Sequence, residues 1–336
     1  MTVPSHETDG VEAIVAMLIR EYRSMGHTVA LIAKENSAVP VDQRFIWPTD
    51  DVSGFLNTWK NARALRAAVD AFSPDVLHSF SRLAYLLLLL PSSVAKVMSF
   101  QQRPDAKQVR WSRRFSRGTL RFTGSSEYLA TVGRRGGGKW RAIPNFVDVE
   151  NYPFVPAVAP NAPLLFLSRL DSINAPHLAI AIARKAERPL ILAGERNDLG
   201  DEADYFNREI APHLGRDGIE WLGAIDHAQK VSLLSRAAAL LVPIQWDNPF
   251  GAPFVEALAT GCPVITCARG ALPEIITPNR TGFFITNTAD GVRAVSQLAT
   301  LDRAGCRADV VNQFSVRACA EQYLALYVEM NTPIHE

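Results

Sequence analysis

Apolar residues along the chain fall into two recurring patterns. One is helical spacing, as between Val11 and Met25, where apolar side chains recur every three or four residues ahead of Gly26. The other is a short continuous run, as in 27–33, which is typical of a strand buried on both faces. The two patterns alternate along the chain. This alternation predicts an α/β protein built on doubly wound parallel sheets.

In the first half of the chain, the pattern predicts helices at 11–25 and 59–72 and strands at 27–33, 76–78 and 95–100. A domain of this kind should begin with a strand of about five or six residues. Only three residues, Met1 to Val3, precede a loop-like segment at 4–10. Either this first strand is vestigial, or the sequence begins downstream of the true start of the protein. We expect the second.

The second half follows a proline-rich segment, 152–163, which is typical of a linker between domains. The predicted strands are 164–167, 190–193, 219–222, 239–243 and 263–266, the predicted helices are 177–186, 205–213, 229–238 and 252–260, and an amphipathic helix closes the chain at 316–330. We therefore expect a first domain at 1–155, a second at 156–313 and a terminal helical segment at 314–336.

The composition is that of a globular protein. Hydrophobic residues make up 48% of the chain and charged residues 21%, which argues against extended disorder. The net charge of +1 excludes a nucleic-acid binder that relies on overall basicity. The charge is uneven, however, with 20 basic and 14 acidic residues up to residue 155, and 15 basic and 20 acidic residues after it.

One stretch, 103–121, accounts for the basic excess of the first half, with seven basic residues and one acidic residue. Trp111, Phe115 and Leu120 are interleaved with these charges. The stretch is either a solvated helix face or a contact for an anionic acceptor or a membrane surface. No groove-reading motif accompanies it, so we expect no nucleic-acid partner.

The four cysteines lie in the last quarter of the chain and show no CxxC spacing. We expect buried thiols in a reducing cytoplasm. The longest apolar run, Leu83 to Pro91, is much shorter than the roughly 20 residues that span a bilayer, and we expect it to form a buried helix or strand. The predicted localisation is cytoplasmic, with peripheral contact at the inner face of the membrane as an option.

Motifs in the second half are specific and collinear. An arginine motif, 167–171, directly follows a predicted strand, and Asn-Pro-Phe-Gly at 248–251 leads to Glu256 within a predicted helix. Two segments that begin with a glycine follow at 261–265 and 270–275. With these residues the chain resembles the retaining nucleotide-sugar glycosyltransferases of family four. The resemblance extends over residues 8–330 and is strongest after residue 143.

The resemblance implies the GT-B fold, in which two Rossmann-like domains face each other across a cleft and the C-terminal helix crosses back onto the first domain. It implies transfer of a hexose from a nucleotide-diphosphate sugar, UDP- or GDP-linked, to an acceptor hydroxyl with retention of anomeric configuration. The acceptor can be a glycan, a lipid-linked molecule or a small molecule. No cofactor and no metal ion are expected, since no cluster of metal-binding residues stands out in the sequence.

Several residues have a physical reason to bind such a donor. Arg169 follows an apolar strand, so its guanidinium can reach phosphate oxygens and bind them in pairs. Gly251 opens a helix, whose free N–H groups attract phosphates and sugar hydroxyls, and Glu256 can accept the ribose hydroxyls. The resemblance extends the set to catalytic Arg169, Asn248 and Asp247, to donor-binding Gly10, Asn174, Gly194, Glu195, Gly223, Phe250, Gly251, Ala252 and Glu256, and to acceptor-side His78, Gln101 and Arg103.

Each assignment has a plain structural alternative. Arg169 can pair with a surface carboxylate, Glu256 can lie on a helix surface, and Gly10 can serve only as a helix-entry turn. Glu195 can face solvent in a loop. For His78 a hydrogen-bonded position in the core is the favoured interpretation.

Three positions depart from the family pattern. The usual lysine is Asn174, the first glutamate of the usual pair is Asn248, and the usual histidine near residue 100 is Gln101. Losing a lysine beside a diphosphate removes a charge-assisted bond of about 1.5–3 kcal/mol, although Arg269 or the basic first domain can supply charge instead. For the lost glutamate, Asp247 can replace the carboxylate, and Asn248 can still hydrogen-bond a sugar hydroxyl. We expect an enzyme with an unusual or narrowed donor. The alternative is a catalytically silent GT-B protein that binds a nucleotide or a partner without turnover.

Overall fold

A computed structural model describes residues 3, 10–49 and 54–332 and divides the chain into two compact units. The first unit is Met1–Phe146 together with Val316–Glu336, and the second is Val147–Ser315. The boundary between the units therefore lies after Phe146, before the proline-rich segment 152–163, and not at residue 155 as expected. Phe146 itself is buried in the core of the first unit. In the second unit, the Val147 N–H donates to the Phe314 carbonyl at 3.0 Å.

In its described residues, the first unit contains six short strands and four α-helices before the chain enters the second unit. In chain order these are α1 (Val11–Ser24), β1 (Ala30–Ala33), β2 (Gln43–Ile46), α2 (Phe55–Phe72), β3 (Val76–Ser79), β4 (Ala95–Phe100), α3 (Ala106–Phe115), β5 (Leu120–Gly124), α4 (Glu127–Arg134) and β6 (Trp140–Ala142). The strands form two separate parallel sheets, β1-β2 and β3-β4-β5-β6.

The second unit carries six strands in one parallel sheet. Its elements are β7 (Leu164–Leu167), α5 (Pro176–Lys185), β8 (Leu190–Ala193), α6 (Gly200–Tyr205), β9 (Ile219–Trp221), α7 (His227–Arg236), β10 (Ala239–Val242), α8 (Ala252–Ala259), β11 (Val264–Thr266), α9 (Leu272–Ile275), β12 (Gly282–Phe284), α10 (Thr288–Ser296) and α11 (Arg303–Gln313). The order across the sheet is β12-β11-β10-β7-β8-β9. The first strand therefore lies centrally, as in a Rossmann fold.

The last helix, α12 (Val316–Asn331), belongs to the first unit, where it packs against α1. The two helices share a buried cluster with the sheet, and Tyr327 on α12 hydrogen-bonds Tyr22 on α1 through their hydroxyls at 3.1 Å. Apolar spacing along both segments explains this packing, since each helix turns one apolar stripe toward the other.

The apolar pattern located elements with an unbroken apolar run or a strong helical period and missed others, including the eleven-residue helix α11. Predicted strands at 76–78 and 95–100 coincide with β3 and β4, whereas β2 was not predicted. Two predicted elements took other forms. The run from Leu83 folds as a single 3-10 turn, Leu83–Leu86, followed by further turns, and four of its leucines are buried, namely Leu83, Leu86, Leu89 and Leu90. The helix expected at 205–213 is broken, because α6 ends at Tyr205 and continues as a π turn and a 3-10 turn.

Candidate active site

The sheet of the second unit contains one topological switch point, between β7 and β10. Chain connections leave these two adjacent strands in opposite directions, and the resulting crevice beyond their carboxyl ends is where open α/β sheets bind ligands. Arg169 follows β7, and Trp246, Asp247 and Asn248 follow β10. The sequence motifs of the two loops thus meet at this crevice.

Arg169 projects from the end of β7 with 68% of its side chain exposed. Its Nη2 atom lies 2.9 Å from Oδ2 of Asp171, whose carboxylate is buried. The other oxygen, Oδ1 of Asp171, has no hydrogen-bond partner within the described residues. One edge of the guanidinium is thereby anchored, while most of the group stays accessible to an anion.

Asn174 is buried, and both ends of its amide are hydrogen-bonded inside the second unit. Its Nδ2 donates to the Arg169 carbonyl at 3.0 Å, and its Oδ1 accepts from Nε1 of Trp246 at 3.0 Å. The side chain thus ties the loop after β7 to the loop after β10. A direct contact of Asn174 with the donor stays a prediction, whereas its bridging role is visible in the structure.

Sequence reasoning missed Trp246 and Glu202, which hold the same loops. The Glu202 carboxylate accepts from the Ser172 N–H at 2.7 Å and from its hydroxyl at 2.6 Å. Ala175 follows with φ of 54°, a left-handed conformation that costs an ordinary residue about 1 kcal/mol or more. The position of Trp246, directly before Asp247 and Asn248, was the only sequence signal available.

Asn248 shapes the loop after β10 through its side chain and its backbone. Its Oδ1 accepts from the Phe250 N–H at 3.1 Å, and its carbonyl accepts from the Ala271 N–H at 2.8 Å. Gly270 is required beside it, because a Cβ atom at that position would lie 2.2 Å from the Asn248 carbonyl oxygen. Asp247 is exposed. The catalytic roles predicted for Asp247 and Asn248 stay predictions.

In the segment from Phe250 to Ala252, backbone groups rather than side chains are available to bind a ligand. Phe250 is buried, with its ring 6.2 Å from that of Phe314. Gly251 caps α8 with φ of 84°, and Ala252 is exposed at the first position of that helix. The N–H groups of the first helical turn have no partner within the helix and can receive a phosphate or a sugar hydroxyl. Pro253, at the second position, contributes no N–H.

Glu256 is not a helix-surface residue. It is 4% exposed, and its Oε1 lies 3.0 Å from Nζ of Lys230 on α7, which is also buried. Lys230 was not predicted as a site residue. Its place among the apolar positions of a predicted helix could have indicated a buried charge. Its ammonium holds the Glu256 carboxylate in one orientation below the crevice, which suits a residue that accepts hydrogen bonds from ribose hydroxyls.

Gly194 and Gly223 continue the carboxyl edge of the sheet next to Arg169. The Gly194 N–H donates to the Gly223 carbonyl at 2.8 Å, and the Gly194 carbonyl accepts from the Trp221 indole at 3.0 Å. Glu195 is exposed, and only its carbonyl is engaged, with the Leu170 N–H at 2.9 Å. Its predicted approach to the nucleotide therefore stays a prediction.

We expect Gly194→Ala to lower the free energy of unfolding of the second unit by about 4 kcal/mol or more. A Cβ at this position would lie 2.0 Å from the Ser168 carbonyl oxygen, and the backbone has φ of 146°. The control is Gly215→Ala, at a position with φ of 72° and open space around it, where the cost should be about 1 kcal/mol. Equal losses in urea unfolding would contradict the close approach.

The first unit carries a separate cavity of about 560 Å³ that contains two of the predicted acceptor-side residues, Gln101 and Arg103. Gln101 is oriented by Asn145, whose Nδ2 donates to Oε1 of Gln101 at 2.6 Å. Trp111 on α3 and Phe80 after β3 supply aromatic walls. This combination of apolar walls and a few polar groups is typical of a small-molecule pocket.

His78 does not line this cavity. Its Nδ1 lies 2.5 Å from the Tyr327 hydroxyl and its Nε2 lies 2.6 Å from the Ser99 hydroxyl, so both ring nitrogens are engaged. Burial lowers the pKa of His78 to about 3, which keeps the ring neutral at physiological pH. The structure thus favours the core interpretation, and Ser99 and Phe80, which both contact His78, also line the Gln101 cavity.

His78 should make the stability of the first unit depend on pH. Its ordinary pKa of 6.5 falls to about 3 on folding. Between these pH values the unfolded chain therefore binds a proton at His78 that the folded chain does not bind. Between pH 6.5 and 5 we expect the free energy of unfolding to fall by about 1.5 kcal/mol. Urea unfolding at both pH values checks this, and His78→Gln should remove most of the difference. An unchanged pH dependence in His78→Gln would refute it.

The basic stretch includes α3, an exposed helix. Arg110, Arg113 and Arg114 are exposed, and Trp111 and Phe115 are also exposed, at 44% and 48%, with their rings 5.2 Å apart.

Gly10, the remaining predicted donor residue, precedes α1 in the same unit with φ of 115°. The approach of Gly10 to a diphosphate stays a prediction.

Two units built on parallel sheets, the second with a crevice at its switch point, are the architecture of the GT-B class. Residues 153–304 match the family model described as glycosyl transferases group 1, and residues 8–151 match the model of glycosyltransferase family 4. Together the two models account for most of the chain. The protein belongs to this family.

Curated relatives agree with this assignment. A glycogen synthase from Mycobacterium tuberculosis is 29% identical over 54% of this chain and 48% of its own. A D-inositol 3-phosphate glycosyltransferase from Mycobacteroides abscessus is 28% identical over 48% of this chain and 38% of its own. The chain spans about half the length of the curated relatives it matches.

Solved structures match nearly the whole fold. AviGT4, a glycosyltransferase involved in avilamycin A biosynthesis, has a TM-score of 0.70 at 24% identity and covers 98% of this chain and 93% of its own. Anabaena Alr3699/HepE in complex with UDP has a TM-score of 0.73 at 17% identity, over 98% and 100%. These likenesses establish the fold. Among the described residues, no helix is long and apolar enough to cross a membrane.

Proposed function

We propose that the protein transfers a sugar from a nucleotide-diphosphate sugar to an acceptor hydroxyl, with retention of anomeric configuration and without a metal ion. The observation that carries this proposal is the anchored, exposed Arg169 at the switch point between β7 and β10. A fixed cation at that point suits a diphosphate, the common feature of nucleotide sugars. The complex of Anabaena Alr3699/HepE with UDP supports a uridine nucleotide as the first donor to test.

The donor would lie along the carboxyl edge of the second sheet. Arg169 would bind the diphosphate, and the first turn of α8 at Gly251 would donate backbone N–H groups to phosphate or sugar oxygens. Glu256, held by Lys230, would accept the ribose hydroxyls. Asn174 would act indirectly, by holding the Arg169 loop in place through its hydrogen bond to Trp246.

Transfer requires the bond between the anomeric carbon and the diphosphate oxygen to break as the acceptor oxygen approaches the same face. Negative charge then develops on the leaving diphosphate, and Arg169 together with backbone N–H groups would stabilise it. This charge set lets the reaction proceed without a divalent cation. The acceptor would bind in the cavity of the first unit that Gln101 and Arg103 line, where the charge of Arg103 favours an anionic molecule.

Titration calorimetry with UDP, GDP and dTDP in the presence of EDTA tests the donor side of this proposal. We expect one of the three to bind at a single site per chain with unchanged affinity after EDTA is added. Absence of binding to all three would contradict the proposal. Tight binding without any turnover of the matching sugars would instead favour the silent alternative.

A second expected result concerns the exposed α3 helix and a lipid-linked acceptor. We expect the protein to float with anionic phosphatidylserine vesicles and not with neutral vesicles, and added salt should weaken the binding. Each arginine contributes about 1 kcal/mol near such a surface, so Arg110→Ala, Arg113→Ala and Arg114→Ala combined should weaken binding about a hundredfold. Equal binding to anionic and neutral vesicles would contradict a membrane contact through the charges of α3.

A further inference from the structure

The indole of Trp246 lies across the switch point of the second unit. Its backbone belongs to the loop after β10, and its Nε1 donates to Oδ1 of Asn174, in the loop after β7, at 3.0 Å. The neighbouring Gln245 N–H donates to the Ile173 carbonyl at 2.8 Å, so the two loops are joined at adjacent residues. The ring therefore bridges the two strand ends between which the crevice opens.

The hydrogen bond to Asn174 uses only one atom of this large side chain. Trp246 is still 36% exposed. Because Nε1 is its only polar side-chain atom and is already engaged, the exposed part is the apolar ring. Tryptophan buries most of its surface in folded proteins. An open indole at a ligand crevice therefore indicates that a bound ligand covers it.

Ile173 adds a second exposed apolar residue at the same junction. It is 44% exposed, and it directly precedes the buried Asn174. Polar residues surround this apolar pair along the chain, since Asp247 and Asn248 directly follow Trp246. A small apolar surface with polar groups beside it is typical of a pocket for a small molecule that has both kinds of surface.

The neighbours of Trp246 indicate which part of a nucleotide sugar covers the ring. Asn174 also donates to the Arg169 carbonyl at 3.0 Å, so the ring lies beside the loop that carries the diphosphate-binding cation. The transferred sugar is bonded directly to the diphosphate, whereas the nucleobase is separated from it by the ribose. The ribose, in turn, is assigned to Glu256 on α8. The sugar is therefore the group nearest to the ring.

A pyranose has the chemistry that this surface requires. Its C–H groups form an apolar face that can pack on an indole, and its hydroxyls project from the rim of the ring, where Asp247 and Asn248 can hydrogen-bond them. A phosphate gains nothing from the same surface, because the face of an aromatic ring carries partial negative charge. The exposed indole thus favours a sugar over the diphosphate itself.

We propose that Trp246, together with Ile173, is the surface on which the pyranose of the donor stacks. Trp246 then has two separate roles, since its N–H holds the Asn174 amide and its ring binds the sugar. This inference rests on the proposed function, because it requires a nucleotide sugar at the switch point. It concerns the sugar alone, so it predicts no contribution of the ring to the binding of a bare nucleotide.

Two substitutions separate the roles of Trp246. Trp246→Phe keeps an aromatic ring and removes the N–H donor, whereas Trp246→Gln keeps an N–H donor of similar reach and removes the ring. Titration calorimetry without acceptor compares UDP with UDP-glucose, GDP with GDP-mannose, and dTDP with dTDP-glucose. In Trp246→Gln we expect the affinity for the nucleotide sugar to fall about tenfold, which corresponds to roughly 60 Å² of apolar surface left uncovered. The affinity for the bare nucleotide should stay unchanged, and Trp246→Phe should keep most of the affinity for the nucleotide sugar.

Val311→Gln is the matched control, since it replaces an apolar residue that is 45% exposed on α11, outside the loops of the carboxyl edge. It should change neither affinity. If Trp246→Gln weakens the nucleotide and the nucleotide sugar equally, or weakens neither, the stacking proposal is overturned, and the proposed function stands. If the unmodified protein binds none of the nucleotides or nucleotide sugars, both the stacking proposal and the proposed function are overturned.

Discussion

Arg169→Ala should lower donor turnover by about two to three orders of magnitude, the cost of removing one preorganised group that stabilises developing negative charge. The guanidinium is exposed at the switch point, and Asp171 anchors only one of its edges. Arg169→Lys should recover part of the loss, because lysine keeps the charge but not the paired geometry. The measurement is the kcat for sugar release from the donor that the unmodified protein uses.

The control for Arg169 is Arg184→Ala in the same unit. Arg184 forms an exposed ion pair with Asp217 at 2.8 Å, away from the switch point, and its removal should change neither turnover nor folding by much. Thermal unfolding of both variants separates catalysis from stability. If both variants lose activity equally, or if Arg169→Ala keeps full turnover, the role assigned to Arg169 is wrong.

Lys230→Met should destabilise the second unit by about 3–5 kcal/mol, since it leaves the Glu256 carboxylate buried without its cation. The pair is almost fully buried, with Nζ and Oε1 3.0 Å apart. We also expect nucleotide affinity to fall, because Glu256 loses its fixed orientation. Urea unfolding and nucleotide titration measure the two effects separately.

The double variant Lys230→Met with Glu256→Gln isolates the pair. Removing both charges should restore most of the stability, because no uncompensated ion remains buried. It should not restore nucleotide affinity if Glu256 accepts the ribose hydroxyls. Stability losses that simply add in the double variant would show that the two side chains are not coupled in the way the distance suggests.

Elements with an unbroken apolar run were predictable whatever their length. The runs 164–167 and 190–193 became β7 and β8 with the predicted bounds. β2 was not predictable, because Gln43–Ile46 is mostly exposed and carries no alternation.

Site residues were predictable from the sequence where the residue type alone indicates a place at the end of a strand or the start of a helix. Arg169 after a strand and Gly251 before a helix follow from strand-end and helix-start chemistry. The partners were not predictable, since Trp246 meets Asn174 and Lys230 meets Glu256 only through tertiary packing. Asn174 looked like the loss of a charge in the sequence, and the structure shows that its amide joins two loops of the crevice.

Proton NMR of the reaction with UDP-, GDP- and dTDP-sugars follows donor consumption and anomeric configuration together. We expect at least one donor to be consumed in the presence of EDTA and the transferred sugar to appear first with the anomeric configuration of the donor. Arg169→Ala should slow this consumption by about two to three orders of magnitude. Consumption of none of the donors, or a product of inverted configuration, would show that the protein is not a retaining, metal-independent glycosyltransferase.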